Sequence, residues 1–131
     1  MSENTDLLQK GYNAFGQGDM DTIRSIWTDD FYWQGPDYDP LPQAGGFEGP
    51  DAVFEMFGEL QANWDDMSVV PDEFIEDGST VVALGHVNAK AKSSGEQVKV
   101  PFAHVWRIRD GKAERVQILE DTAVMARALG V

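Results

Sequence analysis

The chain has 131 residues, 42% hydrophobic and 25% charged, which suffices for one packed domain and is too short for two independent cores. It carries 23 acidic and 10 basic residues, a net charge of -13, and such a surface repels nucleic-acid phosphates and anionic membranes. Because the chain has no cysteine, thiol nucleophiles, disulfides and thiolate metal sites are excluded.

The chain begins with an acidic segment that lacks both a basic region and a long apolar run. This pattern predicts no secretory signal, and no later segment has the length of a membrane-spanning helix. We therefore expect a single cytoplasmic domain that covers residues 1–131.

Helical spacing of apolar residues marks the first part of the chain. Leu8, Tyr12 and Phe15 recur on one face and predict a first helix. A glycine-rich break follows, and a second short amphipathic helix is predicted with Asp19 as its cap and Trp27 as its last apolar position. The two consecutive aspartates that follow are predicted to end the second helix.

An aromatic strand, a loop and a third helix are predicted next. Phe31, Tyr32 and Trp33 are typical of a strand. Residues 35–46 contain three prolines and paired glycines, which predict a lid or rim loop. A proline at the first turn then begins a third helix, whose buried face extends to Trp64.

The remainder of the chain favours strands joined by short turns. Strands are predicted over Val69–Ile75, Thr80–Ala91, Val98–Arg109 and Ala113–Leu119, and a short helix is predicted over Thr122–Leu129. Alternation in the third of these strands places Val98, Val100, Phe102, His104, Trp106 and Ile108 on one face and Lys99, Arg107 and Arg109 on the other.

Helices followed by a hairpin-linked meander predict an α+β fold with helices on one face of the sheet. We expect a curved antiparallel sheet that forms, with the N-terminal helices, a cone with an internal pocket. The apolar face that carries Phe102, His104 and Trp106 would line this pocket.

Four short segments carry a family resemblance. They are Tyr12–Phe15 with Gly18–Asp21, then Phe47–Val53, then Phe102–Lys112, and finally Glu120–Thr122. In this order they resemble the SnoaL-like, ketosteroid-isomerase-like branch of the nuclear transport factor 2-like superfamily. The resemblance implies a conical domain with a deep apolar pocket, usually dimeric, that uses acid–base chemistry or only binds.

The resemblance can be tested against three chemistries of the superfamily. Ketosteroid isomerases use an Asp base with a Tyr and a protonated Asp. Here the Tyr position falls on Gly11, the base position falls near Gly35, and the position of the protonated Asp falls on Ala103 or His104. The epoxide hydrolases need an Arg and two Asp residues, of which only the last-strand position is matched, by Asp121. A SnoaL-like cyclase needs that same Asp with a pocket His nearby, and Asp121 with His104 fits this best.

Several of these residues have a second, structural interpretation. Asp121 precedes the last predicted helix and is either a catalytic carboxylate or a helix N-cap. His104 is either a pocket residue or a hydrogen-bonded core histidine. His86 would approach His104 only in a suitable strand register, and Gln117 shares strand parity with Asp121.

The sequence therefore predicts a protein that binds a hydrophobic, oxygen-bearing small molecule. As an enzyme it would be a cofactor-independent isomerase, polyketide cyclase or epoxide-hydrolase-like protein, in which Asp121 is the base and His104 the partner acid or oxyanion donor. The candidate substrate-binding residues are Trp33, His86, Phe102, Trp106 and Gln117. No metal is expected from two histidines.

Two further interpretations come from other classes of protein. The first is a noncatalytic ligand-binding or dimerisation module of the same fold, and the second is an interaction scaffold whose pocket is filled by its own side chains. The basic residues Lys99, Arg107, Arg109 and Lys112 alternate away from the core, so their sheet face is either a homodimer surface or solvated.

Overall fold

The computed structural model describes residues 2–131, which form four helices and six strands. The helices are α1 (Glu3–Gln17), α2 (Met20–Ile26), α3 (Pro50–Asn63) and α4 (Thr122–Leu129). The strands are β1 (Trp27–Gln34), β2 (Gly46–Glu48), β3 (Trp64–Asp77), β4 (Thr80–Ala91), β5 (Gln97–Arg109) and β6 (Lys112–Glu120). The short strand β2 was not predicted; it begins at Gly46, the last residue of the predicted loop.

The strands form one mixed sheet in the order β2-β1-β6-β5-β4-β3. The α+β prediction is confirmed. The expectation of a wholly antiparallel sheet is wrong at one pair, because β1 runs parallel to β6 while the remaining pairs are antiparallel. A parallel pair cannot be closed by a tight hairpin, and here the two strands come from opposite ends of the chain.

The second helix ends earlier than the sequence predicted. Asp19 caps α2 as expected, with its carboxylate accepting from the Thr22 N–H at 3.1 Å. Trp27, however, begins β1, and the two aspartates lie inside that strand. The Trp27 ring stacks on Phe31 with a centroid distance of 3.8 Å, so burial of the aromatic pair favours extended backbone over another helical turn.

The two faces of the sheet have different environments. The inner face packs against the helices and carries the buried residues Val100, Phe102, His104, Trp106, Val116 and Ile118. The outer face carries Ile75, Val82, Leu84, Ala103, Val105 and Leu119. The core therefore lies between the inner face and the helices.

An irregularity in β6 decides which of its residues face inward. Arg107 pairs with Arg115 and Ile108 pairs with Ala113, which leaves Glu114 without an opposite residue. Such a bulge reverses the alternation of faces along a strand. Ala113 is therefore buried before the bulge, and Val116 and Ile118 are buried after it.

Candidate functional site

A largely apolar cavity of about 90 Å³ lies between the inner face and the helices. Aliphatic and aromatic side chains make up most of its wall. Besides the tryptophans, the polar side chains in the wall are Tyr12, Gln43, His104 and Glu120. Among residues 2–131, no lysine or arginine side chain lines the cavity, so nothing in the wall neutralises a negative charge.

Three aromatic residues form a hydrogen-bonded chain at this cavity. The indole N–H of Trp106 donates to the Tyr12 hydroxyl at 3.0 Å, and the same hydroxyl lies 2.6 Å from His104 Nδ1. An indole nitrogen only donates, so Tyr12 accepts from Trp106 and its own proton is available to His104. In this arrangement Nδ1 is the acceptor of a neutral imidazole, and Nε2 carries the ring proton.

Burial keeps the His104 imidazole uncharged. The side chain lies in the apolar core, with its ring stacked on Phe102 at 3.8 Å. Among the described residues, no acidic group lies against it to stabilise a positive charge. Desolvation therefore lowers the pKa of His104 to about 3. Burial likewise raises the pKa of the Tyr12 hydroxyl above its usual range. The Tyr12–His104 pair therefore offers one neutral N–H donor, the Nε2–H of His104.

A carboxylate lies in the same wall at the end of β6. Glu120 is opposite Phe102 on the inner face, and its Oε1 accepts a hydrogen bond from Gln43 Nε2 at 2.8 Å. Desolvation raises the pKa of Glu120, and the Gln43 hydrogen bond partly offsets this rise. A carboxylate with a raised pKa is a stronger base than one in water.

Asp121 lies outside the cavity, contrary to the expectation that it faces the pocket. Its side chain is exposed and accepts from the Val124 N–H at 3.3 Å as the N-cap of α4. The position of Asp121 therefore supports its interpretation as a helix N-cap. The inward carboxylate is its neighbour Glu120, because the bulge in β6 places even-numbered residues on the inner face.

Two other candidates lie on the wrong side of the sheet for the cavity. His86 pairs with Pro101 on the outer face, and its Nδ1 lies 2.8 Å from Asp72 Oδ2. Gln117 is exposed opposite Val105 on the same face. Their side chains point away from His104, since alternate residues of a strand face opposite sides.

The remaining candidates fall at the cavity or directly behind it. Trp33 and Trp106 line the cavity, as does His104. Phe102 is buried behind His104 and contributes its stacked ring, not a part of the wall. The structure thus brings together Trp33, His104 and Trp106.

Sequence reasoning missed three polar residues of the wall. Tyr12 was predicted on the buried face of α1, but its position beside His104 depends on how α1 crosses the sheet. Gln43 lies in the 35–46 segment, where no periodicity distinguishes a buried residue from an exposed one. Glu120 had a usable signal in the buried Val116 and Ile118, but the apolar Leu119 on the outer face hides the correct alternation.

The part of the chain that the structure describes has neither a metal-binding cluster nor a membrane-spanning helix. No group of three or more His, Asp or Glu side chains there could hold a metal ion. None of the described helices is long and apolar enough to cross a membrane.

Comparisons with solved structures find the same fold in several proteins. An NTF2-like protein of unknown function from Burkholderia pseudomallei has 31% identity and a TM-score of 0.93, with 100% of each chain covered. TerC, co-crystallised with polyporic acid, has 27% identity and a TM-score of 0.91 over 99% of this chain and 100% of its own. A protein from Jannaschia sp. described as a SnoaL-like polyketide cyclase has 17% identity and a TM-score of 0.85, over 98% and 92%.

Sequence-based comparisons place the chain in a family. No curated protein matches it. The family model of the SnoaL-like domain matches residues 8–116, which include the cavity residues Tyr12, Gln43 and His104. The match covers most of the chain, and the fold agrees with that of NTF2-like proteins over their full length. The chain therefore belongs to the SnoaL-like domain family and has the NTF2-like fold.

Proposed function

We propose that the cavity binds a hydrophobic, oxygen-bearing small molecule and that Glu120 and His104 perform acid–base chemistry on it without a cofactor. The observation that carries this proposal is the pairing of a desolvated carboxylate with a neutral imidazole in one apolar wall. Groups whose surroundings shift their pKa values strongly are candidates for general acids and bases.

The roles follow from which proton each group holds. His104 is neutral, and its Nε2–H donates to a ligand oxygen, where it stabilises negative charge that develops during reaction. Glu120 accepts a proton from a neighbouring ligand carbon or from water. His104 lies opposite Ile118 and Glu120 lies opposite Phe102, a diagonal relation that separates the two side chains by about 7–8 Å and leaves room for part of a ligand.

The wall favours uncharged ligands. An anionic ligand would bring a second negative charge beside Glu120 with no cation to balance it, and burying an unpaired charge is costly. A ligand whose apolar body contacts Trp33 and Trp106, and whose carbonyl or hydroxyl oxygen meets His104, fits the wall. The co-crystallisation of TerC with polyporic acid supports small-molecule binding by this fold, whereas the preference for an uncharged ligand rests on the wall of this cavity alone. Together these features point to an isomerase, cyclase or hydrolase type of reaction.

Ligand binding and catalysis are tested by two measurements on one protein. Trp27, Trp33 and Trp106 line the cavity, so tryptophan emission should change on titration with small neutral cyclic ketones, and much less with matched carboxylic acids. A bound ketone should then exchange its α-proton with deuterated water faster with wild type than with Glu120→Gln. Binding without exchange would make the protein a noncatalytic ligand-binding module, and no binding by any ligand would contradict the proposal.

The outer face supports a homodimer. Two rows of apolar side chains cross its strands, namely Ile75, Val82 and Val105, and Leu84, Ala103 and Leu119. Ile75 is 50% exposed and Leu119 49% exposed, and they lie at opposite edges of this patch, on β3 and β6. A contiguous exposed apolar patch is typical of an interaction surface. We propose that a second copy of the chain covers this patch through the same surface, as a twofold interface requires.

A further inference from the structure

The 35–45 segment is a closed loop that places one glutamine inside the molecule. Its ends are joined by the Gly35 N–H, which donates to the Gly45 oxygen at 2.7 Å, and the Gly45 N–H, which donates to the Pro36 oxygen at 3.1 Å. Between them Gln43 is only 2% exposed. A buried glutamine in a surface loop needs a specific set of partners.

Gln43 connects this loop to both β1 and the candidate base. Its main-chain oxygen accepts from Trp33 Nε1 at 3.2 Å. Its side-chain Nε2 donates to Glu120 Oε1 at 2.8 Å and lies 3.4 Å from Met125 Sδ. Both side-chain partners are acceptors, so the amide nitrogen, and not its oxygen, must face them.

The arrangement leaves one polar atom of Gln43 without a partner. Its Oε1 is buried and has no hydrogen-bond partner among residues 2–131. An unpaired buried acceptor destabilises the folded state, so the glutamine is a poor choice for packing alone. Its N–H groups are the feature that serves the site, through the contact with Glu120.

We propose that Gln43 is a positioning residue for Glu120: it holds Oε1, leaves Oε2 for the ligand, and couples closure of the 35–45 loop to the ionised state of the carboxylate. An amide N–H binds a carboxylate more strongly than a carboxylic acid. By reciprocity, loop closure favours ionised Glu120, and ionised Glu120 favours the closed loop by the same factor.

The coupling has a consequence for turnover, which rests on the proposed function. When Glu120 takes a proton from the ligand, the acceptor of the Gln43 hydrogen bond weakens, and the loop is held less firmly. Return of the proton restores the contact. The loop is thus tightest before proton transfer and loosest while Glu120 carries the proton.

Within residues 2–131, no other titratable group faces Glu120 with a charge. Of the elements that line the cavity beside it, α1 contributes the hydroxyl of Tyr12 and β5 contributes the neutral His104. The residues that α2, α3, β1, β3, β4 and α4 place in the wall are uncharged. Adjacent Asp121 is directed at the α4 backbone. The charge state of Glu120 itself is therefore the variable that the loop senses.

The first test needs no ligand. The side-chain carboxyl of Glu120 is titrated by carbon-13 NMR, and its signal is identified by its loss in Glu120→Gln. Gln43→Met keeps the length of the side chain but removes the N–H donors. In Gln43→Met we expect the acid dissociation constant of the Glu120 carboxyl to fall about tenfold, because the ionised form loses its hydrogen bond. Gln61→Met, an exposed change on α3, should leave the titration unchanged, and an unchanged titration in Gln43→Met overturns the proposal.

The second test does not depend on whether Gln43→Met folds. Hydrogen exchange of the bonded loop amides, those of Gly35, Leu41, Ala44 and Gly45, is followed against pH in wild type and in Glu120→Gln. After correction for the intrinsic exchange rate, wild-type protection should fall as Glu120 becomes protonated. Glu120→Gln should show the low protection at every pH. Equal protection in the two proteins at neutral pH overturns the coupling.

Failure of the positioning role is distinguishable from failure of the proposed function. If the cavity binds no ligand, wild-type tryptophan emission stays constant in the ligand titrations, whatever Gln43→Met does to Glu120. If Gln43 has only a structural role, wild type still binds ligand, and the Glu120 titration is the same in Gln43→Met as in wild type.

Discussion

Glu120 and Asp121 are neighbours in the chain, yet the first lies in the wall of the cavity and the second caps a helix at the surface. Their side chains carry the same kind of group and differ by one methylene. Their environments separate their roles. Glu120 is desolvated and accepts a hydrogen bond from Gln43, whereas Asp121 is exposed to solvent and accepts from the Val124 N–H.

Substitution of these two carboxylates should separate stability from activity. Asp121→Ala removes the N-cap of α4 and should lower the free energy of unfolding by about 1 kcal/mol, with ligand-dependent proton exchange retained. Glu120→Gln removes a buried charge and should leave stability at pH 7 unchanged or higher, with exchange abolished. Urea denaturation and deuterium uptake by the ligand measure the two effects. Loss of exchange in Asp121→Ala would contradict the assignment of Glu120 as the base.

The lowered pKa of His104 makes stability depend on pH. The unfolded histidine protonates below about 6.5, while the folded one stays neutral until the pH nears 3. The unfolded state therefore binds more protons between these values. As the pH is lowered through this range, the free energy of unfolding decreases by up to about 1.4 kcal/mol per pH unit. His104→Asn should lose this component between pH 6.5 and 5, and His86→Asn should retain it. Parallel curves of unfolding free energy against pH for wild type and His104→Asn would refute the contribution of His104 to the pH dependence.

Removal of the Tyr12 hydroxyl should destabilise the fold through its two partners. Tyr12→Phe leaves the Trp106 N–H and the acceptor Nδ1 of His104 unpaired in the core. A buried group left without its partner costs about 1–3 kcal/mol, measured as a shift in the denaturation midpoint. Tyr38→Phe, at an exposed loop position, is the control and should change little. An equally small effect for Tyr12 would show that water replaces its hydroxyl.

Gly85 permits the close approach of Phe102, on which His104 stacks. A methyl group at this position would lie 2.7 Å from Phe102 Cζ and 2.9 Å from Pro71 Cα, and would also strike the Val70 oxygen. Gly85→Ala should therefore cost about 1–3 kcal/mol by overpacking and shift the ring-current-affected NMR signals of His104. Gly58→Ala on α3 has open space and should stabilise by up to about 1 kcal/mol. Normal stability of Gly85→Ala would mean that β3 moves away freely.

A charge on the outer face should separate the proposed dimer. Leu119→Glu places a carboxylate in the patch and should convert a dimer to monomer in sedimentation velocity, with the far-ultraviolet circular dichroism unchanged. Asp121→Asn, two residues further along the chain at the exposed cap of α4, should leave the sedimentation coefficient as in wild type. A wild type that sediments as a monomer at high concentration removes the basis for the dimer.

Prediction from sequence succeeded where periodicity was regular. The alternation along β5 placed His104 and Trp106 on the buried face, and α4 was predicted with its observed bounds. It failed where one residue changes the register: the unpaired Glu114 in β6 reverses the faces and moves the inward carboxylate from Asp121 to Glu120. A bulge depends on pairing with a partner strand, which local sequence does not encode.

The cavity also depends on contacts that the sequence does not display. Gln43 is buried because a loop folds onto β6 and α4, and loops carry no repeating pattern that marks an inward residue. The parallel pairing of β1 with β6 joins strands from opposite ends of the chain. Trp33 was nevertheless predicted as a cavity wall, since a large aromatic in a strand is seldom left exposed.

The parallel pair of β1 with β6 also sets the order in which the molecule can assemble. Strands β3 to β6 pair in sequence order through short turns, whereas β1 must wait for a strand synthesised much later, and such distant contacts form slowly. One edge of β1 therefore stays unpaired while most of the chain leaves the ribosome, a state prone to association. Residues 1–89 carry eighteen acidic residues against two basic ones, and repulsion between such segments opposes their association before β6 is in place.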